Sequence, residues 1–196
     1  MDAVTRRRFL AAATGAVAGG LLAGGDEVAA SAGFRGPLCL FSKHLPSLEA
    51  QSLARAVKLI GFAGIDLTVR PGGHVAPERA AEDLPPFLKA VRDEGVTVPM
   101  ITTALVSASE PTARPILETA GAHGVALFKP GYYRYAFADV RQELAGAATA
   151  LRGLAELGAR YGVALGFHNH AGYIGGRGGK AKEAVSRQLS AKCRVS

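Results

Sequence analysis

From residue 37 onward the hydrophobic pattern alternates between short continuous apolar runs and longer stretches whose apolar positions recur three and four apart. The short runs, at 38–41, 65–69, 96–102, 125–129 and 163–168, read as strands buried on both faces. Between them the period changes. A helix is expected over 48–60, with Leu48, Leu53, Ala56, Val57 and Ile60 on one face and Gly61 near its end. Pro77 and Glu78 open the next helical region, where Pro85-Pro86 is expected to split one helix into two pieces before Gly95 ends the second. A short helix should run from about 111 to 121. The longest, over 139–161, carries Val140, Leu144, Ala147, Leu151 and Leu154 as a core-facing stripe. Each strand with its helix and loops takes roughly 30 residues, the length of a crossover unit, so the sheet should be parallel and the class α/β, with about five strands and four helical regions.

Such units either close as an eight-stranded barrel or spread as an open doubly wound sheet. An open nucleotide-binding sheet carries a glycine-rich turn after its first strand. The turn here is Ser42-Lys43-His44-Leu45-Pro46, without glycine, so the barrel is expected. Eight units need ~250 residues. This chain of 196 residues reaches only its fifth strand, so an incomplete TIM (β/α)8-type barrel is the expectation. Residues 176–196 show no strand-like run. They read as a basic interaction tail or, preferably, as out-of-frame or prematurely terminated sequence.

The N-terminal segment is of another kind. Arg6, Arg7 and Arg8 precede a mildly apolar, Ala- and Gly-rich stretch that ends in Ala30-Ser31-Ala32. That order describes a removable export signal, and the adjacent arginines before Phe9-Leu10 point to the twin-arginine type. Its apolar run falls short of the ~20 residues that span a bilayer, so no stable membrane anchor is expected. The expected organisation is a signal over 1–32, the N-terminal part of a barrel over 33–175 and the tail over 176–196, with the working part periplasmic or extracellular. The net charge of +7 does not alter this. Residues 36–175 hold thirteen basic and twelve acidic residues, and the excess sits in the tail. A nearly neutral body argues against a nucleic-acid partner. Cys39 and Cys193 lack framework spacing and are expected to be unpaired.

Barrels place ligand-binding side chains at the C-terminal ends of their strands. Four stretches qualify. In Gly166-Phe167-His168-Asn169-His170, alternation puts His168 and His170 on one side and Asn169 on the other. The two imidazoles could bind a divalent metal, polarise a carbonyl or move a proton, or they could pack as a hydrogen-bonded pair. After the second strand, Arg70 could clamp an anionic or hydroxylated ligand and His74 could line the mouth. A structural loop accounts for both equally well. Lys129, Tyr132 and the neighbouring tyrosines suit a sugar, whose face stacks on a ring, or simply cover the barrel end. Lys43-His44 is the fourth stretch. No serine nucleophile elbow is present in the chain.

The segments Gly64 to His74, Gly131-Tyr132-Tyr133-Arg134-Tyr135 and Gly162 to His170 together resemble the exported branch of the sugar phosphate isomerase/epimerase family, the xylose isomerase-like TIM barrels. The resemblance covers about residues 37–175. It implies a small-molecule sugar substrate and a divalent metal (Mn, Mg or Zn) held by carboxylates and a histidine. It also implies proton abstraction beside a carbonyl through an enediolate, with acidic residues as acid and base. On this resemblance His168 and His170 become candidate catalytic and metal residues, and Arg70, His74, Lys129, Tyr132 and Asn169 candidate sugar contacts. Two departures stand out. No acidic residue occurs between Arg160 and Gly175, where the family usually places a glutamate ligand, and strands six to eight are not evident. The chain is therefore expected to be truncated and inactive as an isomerase, and to self-associate through open barrel edges. A non-catalytic sugar-binding module and a lyase or hydratase acting on oxidised sugars remain alternatives.

Overall fold

The computed structural model describes residues 37–168. Residues 1–36, on which the expected signal falls, and residues 169–196, with Asn169, His170, Cys193 and the expected tail, lie outside them. Five strands, β1 (Cys39–Phe41), β2 (Gly64–Val69), β3 (Thr97–Thr103), β4 (Leu127–Lys129) and β5 (Ala164–Leu165), alternate with four helices. These are α1 (Ala50–Ile60), α2 (Ala80–Asp93), α3 (Ala113–Ala122) and α4 (Val140–Arg160). The strands form one parallel sheet in the order β1-β2-β3-β4-β5.

That order decides between the two architectures. A doubly wound sheet reverses its strand order partway, whereas here every strand lies beside its predecessor. With right-handed crossovers, sequential order puts all connecting helices on one face. The helices accordingly touch in sequence, α1 on α2, α2 on α3 and α3 on α4. This is the winding of a TIM-type barrel wall.

The register sorts the side chains into two faces. Leu67, Ile101, Phe128 and Leu165 lie side by side across β2 to β5 and point at the helices; the first three are fully buried. Leu53 and Val57 of α1, Leu84, Leu88 and Val91 of α2, Ile116 and Leu117 of α3 and Leu154 of α4 complete this core. The opposite, inner face carries one row of Phe41, Asp66, Met100, Leu127 and Ala164, and above it a row of Thr68, Thr102 and Lys129.

Local chemistry explains the element ends. Gly61, at φ 94°, ends α1 in the left-handed region that a side chain disfavours. Asp139 caps α4 by accepting from the backbone N–H groups of Arg141 and Gln142, both at 3.0 Å. Glu143 reaches back to the N–H groups of Ala136 and Ala138.

Three expectations need correction. Pro85 and Pro86 do not split the second helical region, because α2 runs through both. They remove the N–H donors that would have met the carbonyls of Ala81 and Glu82, two exposed positions where water can replace them. The buried stripe of Ala80, Leu84, Leu88 and Val91 holds the helix across the pair. Strand β4 is also shorter than expected. Val125 belongs to the turn after α3, donating to Ala120 O at 2.9 Å, with Gly124 at φ 69°. Likewise β5 covers only two of the expected residues, although Gly166 N–H still donates to Phe128 O at 2.8 Å. Among the described residues no helix is long and apolar enough to cross a membrane.

Candidate functional site

The inner face is where the strands place polar side chains. Asp66 sits in the middle of β2, and Thr102 Oγ1 donates to its two carboxylate oxygens at 2.8 and 2.9 Å. Burial pushes the Asp66 carboxyl up to about 6, against the Thr102 hydrogen bond and the charges of Lys129 and Arg70, which pull it down. A carboxylate in this range is divided between its two protonation states near neutral pH.

Lys129 ends β4 beside Thr102 in the register and is only 8% exposed. Its Nζ donates to Pro130 O at 2.9 Å and lies 4.0 Å from the centre of the Tyr132 ring. Burial holds the ammonium below the ordinary lysine range, Arg70 adds to the shift and Asp66 opposes it. The loop that aims Tyr132 is pinned at Gly131, whose N–H donates to Leu105 O at 2.7 Å. A Cβ at Gly131 would collide with the carbonyl of Ala104, so only glycine allows this approach. Tyr133 Oη donates to Val106 O at 2.6 Å and secures the same loop. Beyond Tyr132 lies His168, with ring centroids 6.4 Å apart.

Arg70 leaves β2 toward the same end of the sheet, its guanidinium 5.7 Å from the centre of the Phe41 ring. Its loop turns through Gly72, at φ 67°, and closes with Gly73 N–H on Arg70 O at 2.8 Å. His74 braces that loop from below. Its Nε2 lies 3.1 Å from Leu45 O, a carbonyl that can only accept, so Nε2 carries the proton. Nδ1 then accepts from Thr68 Oγ1 at 3.0 Å, and Thr68 Oγ1 accepts from the buried Ser42 hydroxyl at 3.2 Å. Ser42, Thr68, His74 and Leu45 thus form a directed chain that ties the ends of β1 and β2 together.

Of the residues singled out in the sequence, Arg70, Lys129, Tyr132 and His168 are brought to one end of the sheet. His74 stands apart, with both ring nitrogens engaged by protein atoms. Asn169 and His170 lie outside the described residues. Lys43 and His44 are exposed on the turn after β1, with the His44 ring edge-on to Phe41 at 5.9 Å. Reading strand ends alone missed Asp66 and Thr102. The signal for Asp66 was the alternation in Ile65-Asp66-Leu67-Thr68-Val69, where polar residues occupy every second position of an otherwise apolar strand; Thr102 had no comparable signal.

Among the described residues no group of three or more His, Cys, Asp or Glu side chains could hold a metal ion. The donor chemistry points the same way. The neighbours of the Asp66 carboxylate are the cations Lys129 and Arg70, not further anionic ligands, and the described residues therefore do not fit a divalent metal.

A sequentially wound parallel sheet with its helices on one face and its polar residues on the other defines a barrel-type α/β scaffold. Solved structures narrow the fold. A protein from Rhodospirillum rubrum provisionally described as a xylose isomerase matches with a TM-score of 0.63 at 14% identity, over 81% of this chain and 63% of its own. A xylose isomerase-like TIM barrel protein from Mycobacterium smegmatis, in complex with magnesium, matches at 0.57 and 14%, over 79% and 61%. A D-allulose 3-epimerase from Methylomonas sp., in complex with D-allulose, matches at 0.57 and 12%, over 79% and 59%. These neighbours are TIM barrels, and the chain shares the winding of their barrel wall. The chain spans about 60% of the length of these neighbours. No family model and no curated protein matches it.

Proposed function

We propose that the inner face binds an open-chain sugar or sugar phosphate and exchanges the proton on the carbon beside its carbonyl, the first half of an isomerase or epimerase reaction through an enediolate. The observation that carries this reading is the Asp66 carboxyl, held near 6 by burial and steadied by Thr102 among two cations. A base poised near neutral pH suits abstraction of a weakly acidic C–H proton. Lys129 and Arg70 stand where negative charge develops on the carbonyl oxygen. Phe41 and Tyr132 supply ring faces for the sugar carbons.

Epimerisation also needs an acid on the opposite face of the enediolate. The described residues supply one carboxylate on the inner face, so exchange without efficient turnover is the expected behaviour of this chain. A divalent ion receives no role here, because the described donors do not fit one. Export by the twin-arginine route belongs to the same proposal, and cell fractionation checks it.

The test is to incubate the full chain with a series of aldoses and ketoses in heavy water and follow the C–H signal beside the carbonyl by NMR. Deuterium entry above the uncatalysed rate, lost in Asp66→Asn, is expected. No entry with any sugar, together with saturable sugar binding, would replace the isomerase reading with a non-catalytic sugar-binding module, which the rings of Phe41 and Tyr132 would equally serve.

A further inference from the structure

We propose that Lys129 acts as a covalent amine catalyst, its Nζ condensing with the carbonyl of an open-chain sugar to give an iminium while Asp66 relays protons. This rests on reading the inner face as a sugar site and adds to it the means by which the carbonyl is activated.

The position is the first argument. Lys129 is the last residue of β4, on the inner row, where a barrel presents side chains to its ligand. The second is its company. Nζ is held by the carbonyl of Pro130 and the face of Tyr132, neutral partners that leave the amine easier to deprotonate than a close ion pair would. The other described lysines differ. Lys89 pairs with Asp93 at 2.6 Å, Lys58 donates to Glu94 O at 3.0 Å, and all of Lys43, Lys58 and Lys89 are exposed. Burial of Lys129 favours its neutral, nucleophilic form in the same direction. The third argument is the relay. Thr102, beside Lys129 in the register, hydrogen-bonds Asp66 on the next strand, so a proton acceptor lies two strands from Lys129 with the Thr102 hydroxyl between them.

The step balances without a further reactant. The ammonium passes one proton, by way of the Thr102 hydroxyl that takes one and gives one, to the Asp66 carboxylate, and the freed lone pair forms a C–N bond as the carbonyl π pair moves onto oxygen. A second nitrogen-bound proton moves to that oxygen. The proton on Asp66 then joins the same hydroxyl, the C–O bond breaks, and water leaves. The product iminium carries the single positive charge the ammonium began with. As an electron sink it acidifies the neighbouring C–H, and the regenerated Asp66 carboxylate is the base that removes that proton.

The test uses the full chain, substoichiometric D-glyceraldehyde and sodium cyanoborohydride at neutral pH, with the reduced adduct located by peptide mass mapping. Lys129 should be labelled about tenfold or more faster than Lys43, Lys58 or Lys89. Lys129→Arg keeps a cation over Tyr132 but cannot form an imine, so it should lose that label and keep the others. Labelling of Lys129 no faster than that of the exposed lysines overturns the proposal, and the unmodified chain decides this even if the variant does not fold. The heavy-water assay separates the two readings. Deuterium entry without selective Lys129 labelling removes the imine and keeps the sugar site; selective labelling without deuterium entry keeps the imine and removes the proton exchange.

Discussion

Leu127 and Phe128 are neighbours in sequence and opposites in environment. Phe128 points at the helices and is fully buried, whereas Leu127 points to the inner face and is 40% exposed. The contrast extends across the whole sheet. On the helix side, Ile65, Leu67, Val69, Ile101 and Phe128 belong to one buried apolar core. On the inner side the same strands present Asp66, Thr68, Thr102 and Lys129. One face supplies the packing that holds the strands in register, and the other uses that register to line up groups that would not otherwise stay together. Stability and chemistry are thus separated by a single residue step along each strand.

The sharpest way to break this comparison is to truncate both neighbours. Phe128→Ala should cost about 3–5 kcal/mol in urea unfolding, because it removes a large buried ring and leaves a cavity. Leu127→Ala should cost less than about 1 kcal/mol. Equal losses would mean that the two faces are not distinct.

A smaller effect is expected where the inner face meets its brace. His74→Ala leaves the Thr68 hydroxyl without its acceptor and Leu45 O with only the Leu48 N–H as donor, at a cost of about 1–3 kcal/mol. The same variant should release the Arg70 loop, read as faster amide exchange at Arg70 and Val75, whose backbone bonds close it.

Next in size is a pH effect. Asp66 titrates at about 6 in the fold and at about 3.9 in an unfolded chain, so between those values the folded state binds more protons. The Asp66 contribution to stability is therefore fully present below about 4 and is lost as pH rises through 6. Asp66→Asn should abolish that slope and raise stability above pH 6 by about 1–2 kcal/mol, a figure reduced for solvent screening at a partly open face. A slope of opposite sign would show that the cations, not burial, dominate. At the far end, Arg79→Ala on exposed α2 removes the pairs with Glu82 and Asp83 and should leave the urea midpoint unchanged.

Much of the fold was legible because the period of the apolar pattern is a packing requirement. A strand covered on both sides must read as a continuous apolar run, and a crossover helix must show one stripe. All five strands and four helices follow from that. The Pro85-Pro86 pair misled because a local rule about missing donors was applied without knowing that the affected carbonyls face water. The strand-end rule located Arg70, Lys129 and Tyr132, since these follow apolar runs directly. It passed over Asp66 and Thr102, whose importance depends on which strands are neighbours, and register is not written in one strand alone. His74 shows the converse. A histidine after a strand looks like a mouth residue, yet the loop folds it down onto Thr68 and Leu45.

The most direct measurement is the titration of the Asp66 carboxyl by carbon NMR in the intact chain and in Thr102→Val. The expected result is a midpoint near 6 that moves higher when the Thr102 hydroxyl is removed, because that hydrogen bond favours the charged form. A midpoint close to the ordinary value of about 3.9, unmoved by the substitution, would mean that the inner face is open water and would contradict the site built on it.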